Sequence, residues 1–197
     1  MPLSCPLNPW SLRRGAVSEQ CMRASVLRPE LWIETPIGPM RAVADKTHLI
    51  GLEFHDERPD ADPDAESSGG PGRTAPLIQI EAELKAYFAE ESAEFSTPLR
   101  IEGNDLERKV WARLMQVPLG ETCSYGDIAR DTGSIEAVRV VARYCGTNRI
   151  PVVIPCHRCI GSDGSLTGFG GGLWRKKWLL RHEGRMRPVG LFAEERP

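Results

Sequence analysis

No apolar run in the 197 residues approaches the ~20 needed to cross a bilayer, and the first thirty residues, with Arg13 and Arg14, hold no hydrophobic stretch of signal-peptide type. No membrane partner is therefore expected, and the expected location is cytoplasmic. Cysteine is sparse and scattered, with six residues at positions 5, 21, 123, 145, 156 and 159. A chain of this length does not need disulfide staples, so a reduced protein with one or two working thiols is the better reading. Cys5 and Cys21 precede the first patterned segment, and His48 and His55 are poorly placed to join them. No metal and no cofactor are expected. Acidic residues are missing from one long stretch: Ala137 to Ser162 contains four Arg and no Asp or Glu.

What is present divides the chain. The net charge is −2, but residues 1–103 carry ten basic and seventeen acidic side chains, whereas residues 104–197 carry fifteen and ten. The second half would attract a polyanion and the first would repel one. Residues 1–30 have no steady period and read as an irregular arm. Leu31–Thr35, Met40–Ala44 and Ile50–Phe54 alternate as three strands of an antiparallel meander, the first two joined by a Pro36-Ile37-Gly38-Pro39 turn. The segment from His55 to Gly72 is acidic and rich in Pro, Ser and Gly, as an exposed loop would be. Leu77, Ile80, Leu84 and Tyr87/Phe88 then recur at helical spacing after Pro76, predicting a helix to about Glu91. Phe95–Ile101 suits a further short strand.

A second domain is expected from Asn104. Asn104 with Glu107, and Ser124 with Asp127, are N-cap signals for two helices. A third is predicted from Ile135 to about Gly146, with Ile135, Val138, Val141/Ala142 and Cys145 inward and Arg139 and Arg143 outward. The last two helices, joined through Gly133-Ser134, form a helix-turn-helix candidate. Arg139, Arg143, Arg149 and Arg158 would give it a phosphate-facing surface. The β-branched run Ile150–Ile154 reads as buried and extended, ending at Pro155-Cys156-His157-Arg158. A thiol so presented is a nucleophile candidate, because a neighbouring base or cation can favour its reactive thiolate. Adjacent side chains of an extended segment point opposite ways, so His157 would reach Cys156 through a turn or a water. After the Gly168–Gly172 loop, a last helix should pack Leu173, Trp174, Trp178 and Leu180 and end at Gly184. Glu183 at that end opposes the helix dipole, so it needs a partner such as His.

Pro155–Arg158, the Gly-rich loop and Trp178-Leu179-Leu180-Arg181-His182-Glu183-Gly184 resemble the O6-alkylguanine-DNA alkyltransferases, as does Val117–Asp127. The resemblance is close over residues 104–184 and looser over the meander. It implies an α+β fold: an N-terminal ribonuclease-H-like antiparallel sheet with a helix over 31–103, and a C-terminal helical helix-turn-helix (winged-helix-like) alkyltransferase domain over 104–187. The arm 1–30 and a tail 188–197 flank them. The resemblance further implies that Cys156 accepts the alkyl group, that His157 takes its proton through a water, and that Glu183 orients His157. Asn148 would brace the turn after the recognition helix. Tyr125 would press on the target nucleotide and donate to the leaving guanine. Arg139 would fill the gap left by the flipped base. Cys159, Phe169 and Gly170 would line the substrate pocket, at positions where a small aliphatic residue, Tyr and Ser are common in the family. The implied partner is double-stranded DNA carrying O6-alkylguanine, bound by a monomer.

Two other readings of the same residues differ in class. His55-Asp56-Glu57 and Pro155-Cys156-x-x-Cys159 match the two halves of a zinc deaminase signature, but Gly161 and Gly164 follow too soon for the helix such a site needs. Cys156-x-x-Cys159 could instead be a redox pair on a DNA-binding module, and oxidation of that pair would silence an acceptor Cys156.

Overall fold

The structure is a computed structural model that describes residues 28–58, 73–133 and 138–187. The arm before residue 28, the loop 59–72, the expected inward Ile135 and the tail 188–197 lie outside the described residues. Three antiparallel strands, β1 (Glu30–Ile33), β2 (Met40–Ala44) and β3 (Leu49–Phe54), pair in sequence order. The turn between β1 and β2 closes on Gly38, whose φ of +98° favours glycine. A Cβ there would also sit 2.7 Å from the His55 carbonyl oxygen. Simple alternation places Ile50 inward with Leu52, but Leu49 and Leu52 are the fully buried pair and Ile50 is only half-buried. The cause is a register shift at Val43/Ala44 that sets Leu49, not Ile50, opposite Ala44. Helix α1 (Ala75–Phe88) lays Leu77, Ile80, Leu84 and Tyr87 into the core. It ends short of Glu91, where Glu90 turns to a φ of +62°. Of the expected strand over 95–101, only a single parallel bridge forms, Leu99 beside Leu49.

The second half is helical. Helices α2 (Asp105–Leu114) and α3 (Tyr125–Asp131) both open on complete capping boxes, Asn104 with Glu107 and Ser124 with Asp127. Each such cap stabilises a helix by about 1 kcal/mol. Helix α4 (Val138–Gly146) follows and buries Val141, Tyr144 and Cys145. Val138 and Ala142, expected inside, are exposed. A two-residue strand β4 (Cys123–Ser124) runs parallel to β5 (Cys159–Ile160). The run Ile150–Ile154 is buried as expected but is not extended. It closes as a turn, with the Ile154 amide donating to the Ile150 carbonyl at 2.9 Å and Val152 at a φ of +73°. A β-branched residue is a rare occupant of that region.

Helix α5 (Leu173–Met186) departs most from its hydropathy. Its inward face is Arg175, Lys176, Leu179, His182 and Glu183, whereas Leu173 and Trp174 are exposed, and the helix runs on through Gly184. These inward polar groups join the domains. Arg175 donates through Nε to the Ile37 carbonyl at 2.7 Å, through Nη1 to Gly171 at 2.9 Å, and through Nη2 to the His55 carbonyl and Asp56 Oδ1. A planar five-donor guanidinium can satisfy carbonyls from three segments at once. From β3, the Leu52 amide donates to the Arg149 carbonyl at 2.7 Å, tying the sheet to the segment that precedes Cys156.

Candidate active site

Cys156, His157 and Arg158 form one turn of 3₁₀ helix after Pro155, and all three are buried. At three residues per turn, successive side chains fan out by about 120°. This replaces the alternation expected of a strand and lets neighbours serve different partners. Asn148 holds the approach. Its Oδ1 accepts from the Ile150 amide at 3.0 Å, and its Nδ2 donates to the Ile154 carbonyl at 2.8 Å and to Cys156 Sγ at 3.1 Å. Burial pushes the Cys156 thiol up to about 12, and the Asn148 bond and the Lys176 charge oppose that rise. Holding a bare thiolate at neutral pH would then cost about 7 kcal/mol, at about 1.4 kcal/mol per pH unit. The resting group is a thiol.

Glu183 is the centre of a buried cage. Its Oε1 accepts from Tyr87 Oη at 2.9 Å, His157 Nε2 at 2.8 Å and Arg158 Nη2 at 2.8 Å; its Oε2 accepts from Arg158 Nε at 2.7 Å. Burial alone would raise its carboxyl, but the bonds and charges of His157 and Arg158 outweigh that and hold it well below the carboxylate range. An ionised carboxylate only accepts, so His157 Nε2 carries the proton and Nδ1 keeps its lone pair. Nδ1 is buried and has no protein partner. Burial also lowers the His157 pKa, with Glu183 opposing, so the imidazole is neutral and able to take a proton. Arg158 corrects an expectation. It is buried, bidentate on Glu183, and donates to the Val117 carbonyl at 2.5 Å. It therefore cannot offer its charge to a phosphate.

Beneath the thiol lies a lysine that the sequence reading missed. Lys176 is fully buried, and its Nζ donates to the Cys159 carbonyl at 2.6 Å, the Thr167 carbonyl at 3.0 Å and Tyr125 Oη at 3.3 Å. Burial lowers its pKa, and the surrounding thiols oppose this. Its spacing with Leu179 and Glu183 was the only signal available, three and seven residues apart on one helical face. Tyr125 is buried, and its hydroxyl is pushed up to about 12 by burial, so it stays a donor.

A cavity of about 230 Å³ opens over Cys156. Asn148, Cys145, Pro151, Phe169 and Gly170 line it, and Phe54 of the first domain adds a wall against Phe169 at 5.8 Å between ring centroids. Phe169 and Gly170 thus line the same cavity as Cys156. Cys159 does not line the cavity: it is wholly buried, with its thiol against Cys123 and Cys145. The pocket thiol that accompanies Cys156 is Cys145. Beside this opening α4 exposes Val138, Arg139, Val140, Ala142 and Arg143 without an acid, and Arg149 is exposed just beyond.

Fold and site together define a two-domain protein that holds a buried thiol next to a helix-turn-helix. The sequence matches two family models: "6-O-methylguanine DNA methyltransferase, ribonuclease-like domain" over residues 31–101 and "6-O-methylguanine DNA methyltransferase, DNA binding domain" over residues 105–185. Methylated-DNA–protein-cysteine methyltransferase of Mycobacterium tuberculosis is 38% identical over 164 residues, covering 81% of this chain and 94% of its own. The protein of that name from Shigella flexneri is 34% identical over 165 residues, covering 77% and 93%. The crystal structure of M. tuberculosis O6-methylguanine methyltransferase superposes with a TM-score of 0.69 at 36% identity, covering 82% of this chain and 96% of that one. The structure of M. tuberculosis OGT in complex with DNA gives 0.67 at 35% identity, covering 80% and 94%. The chain belongs to the methylated-DNA–protein-cysteine methyltransferase family of DNA-repair enzymes, and its ribonuclease-like and DNA-binding domains agree with the α+β expectation. Among the described residues no helix is long and apolar enough to cross a membrane.

Proposed function

We propose that this protein removes the alkyl group from O6-alkylguanine, and from O4-alkylthymine, in duplex DNA by transferring it irreversibly to Cys156. The observation that carries this reading is the sequence of contacts behind one thiol: Asn148 on Sγ, a neutral His157 with a free Nδ1, and Glu183 fixing the tautomer. His157 Nδ1 takes the Cys156 proton through a bridging water. The thiolate attacks the alkyl carbon in line, the C–S bond forms as the C–O bond breaks, and the electron pair leaves on the base. Tyr125, kept protonated by its burial, supplies a proton to the leaving guanine. The product thioether has no group that water can displace, so each chain acts once.

A carbon inside a base stack cannot be reached by a buried thiol, so the target nucleotide is flipped into the cavity. Helix α4 is the element for this. Its exposed face combines small apolar residues with Arg139 and Arg143 and carries no acid, which suits close approach to a minor groove with little reading of sequence. Arg139 fills the gap in the stack, while Arg143 and Arg149 meet phosphates. Phe169 and the Gly170 amide face the base, and the absence of a side chain at Gly170 leaves room for groups larger than methyl. The protein works as a monomer in the reducing cytoplasm.

Titration of a lesion duplex against the protein tests this reading. Methyl removal should plateau at one per chain, and continued turnover would contradict it. The pocket claim is tested by relative rates on O6-methyl and O6-benzyl guanine, where Gly170→Ser should lower the benzyl rate more than the methyl rate.

A further inference from the structure

Among the described residues, three cysteines, Cys123, Cys145 and Cys159, have no part in the transfer chemistry, yet the fold gathers them. Cys123 and Cys159 are direct register partners in the parallel pair of β4 and β5. Registered neighbours put their side chains on the same face of a ladder. Adjacent strands lie about 4.7–4.9 Å apart, inside the about 4.4–6.8 Å between Cα atoms that a disulfide spans. The Cys159 side chain lies near both Cys123 and Cys145, and all three are free thiols. Access differs among them. Cys123 is half-exposed, whereas Cys145, Cys156 and Cys159 are buried. The chemistry differs too: the neighbouring Cys159 thiol and the charge of Arg113 lower the Cys123 pKa, while burial raises that of Cys156.

We propose that Cys123 and Cys159 are an oxidation site that a hydroperoxide closes to a disulfide while Cys156 remains a thiol. The Cys123 thiolate attacks the peroxide oxygen, the O–O bond breaks, and Cys123 becomes a sulfenic acid with water or an alcohol leaving. The Cys159 sulfur then attacks the Cys123 sulfur, its proton leaves with the hydroxyl as water, and the S–S bond forms. The peroxide is reduced by two electrons and the dithiol is oxidised by two. Because the cysteines are already in register, closure fits the native backbone. Ser124 keeps its cap on α3, and Asn148 keeps its bond to Cys156. The consequence is the opposite of a Cys156–Cys159 pair: the oxidised protein still accepts alkyl groups. Cys123, less buried than Cys156, meets the oxidant before the acceptor does.

The full-length chain, reduced and then treated with hydrogen peroxide, is read by intact mass and by peptide mapping with differential thiol alkylation. The expected result is a loss of two hydrogens, a Cys123–Cys159 cross-link reversed by dithiothreitol, and alkylatable Cys156. In Cys159→Ala the cross-link should disappear and Cys123 should be trapped as a sulfenic acid by dimedone. In Cys123→Ser, Cys156 should be lost to peroxide faster than in the unmodified protein. A cross-link that contains Cys156, or oxidation of Cys156 ahead of Cys123, would overturn the proposal. None of these readouts depends on alkyl transfer, so the proposal stands or fails separately from the repair reading.

Discussion

Tyr87 Oη donates to Glu183 Oε1 at 2.9 Å, from α1 of the first domain to α5 of the second. The ribonuclease-like domain thereby completes the cage around the carboxylate that holds His157. Nearby, His182 Nε2 donates to the Tyr87 carbonyl at 2.7 Å and its ring stacks on Trp178 at 4.7 Å. Tyr87→Phe removes one donor from a buried charge, and a hydrogen bond to a charged group is worth about 1.5–3 kcal/mol. Urea unfolding should register a loss of that order, and transfer should slow while the methyl group still reaches Cys156.

The same cage sets acid stability. Glu183 is held below its ordinary value of 4.5 in the folded chain. Its contribution to stability is therefore complete above that value and is lost as pH falls through the carboxylate range toward the folded value. Unfolding measured against pH should show stability dropping below about pH 5, and Glu183→Gln should lose stability at neutral pH and flatten that drop.

His157 is kept neutral, its pKa lowered from the ordinary 6.5 by burial. The proton acceptor is lost only as pH falls through that lowered value. Single-turnover transfer rates should thus hold at neutral pH and decline on a limb lying below 6.5. His157→Ala should slow transfer by about 10²–10⁴-fold and abolish the limb, with DNA affinity unchanged.

Lys176→Met keeps the bulk of the side chain and removes its cation. The carbonyls of Cys159 and Thr167 lose their donor, and Cys156 loses a charge that favours its thiolate. Transfer should slow and its rate should become more steeply dependent on alkaline pH. An unchanged pH profile would contradict the electrostatic role.

The arginines separate into two kinds. Arg143→Ala and Arg149→Ala should each weaken DNA binding and reduce the salt slope of log K by about 0.9 per phosphate contact removed. Arg158→Ala should leave that slope unchanged and instead destabilise the fold by about 3–5 kcal/mol, the cost of stranding one partner of a buried ion pair.

Local signals made the sheet, α1 and both capping boxes legible in the sequence, because alternation, helical spacing and N-cap chemistry are written within a few residues. Cys156, His157, Asn148 and Glu183 were legible through a motif, and the structure brings all four to one place. What escaped was set by tertiary contact. The inward face of α5 is Arg175, Lys176, His182 and Glu183, which hydropathy assigns to solvent. It is buried only because carbonyls and side chains from other segments satisfy each charge. The same cause hid Arg158, whose partner lies 25 residues away. Ile50 and Leu49 exchanged places because a bulge in register leaves no local mark. Tyr144 and Trp111 were missed as a pair, joined by an indole N–H donating to the Tyr144 carbonyl at 2.9 Å.

The most direct test of the central claim is the intact mass of the protein after mixing with duplex DNA containing O6-methylguanine, followed by peptide mapping. The account predicts one added methyl group per chain, located on Cys156, and none in Cys156→Ala. Methyl on another residue, or DNA binding with no mass gained, would contradict it.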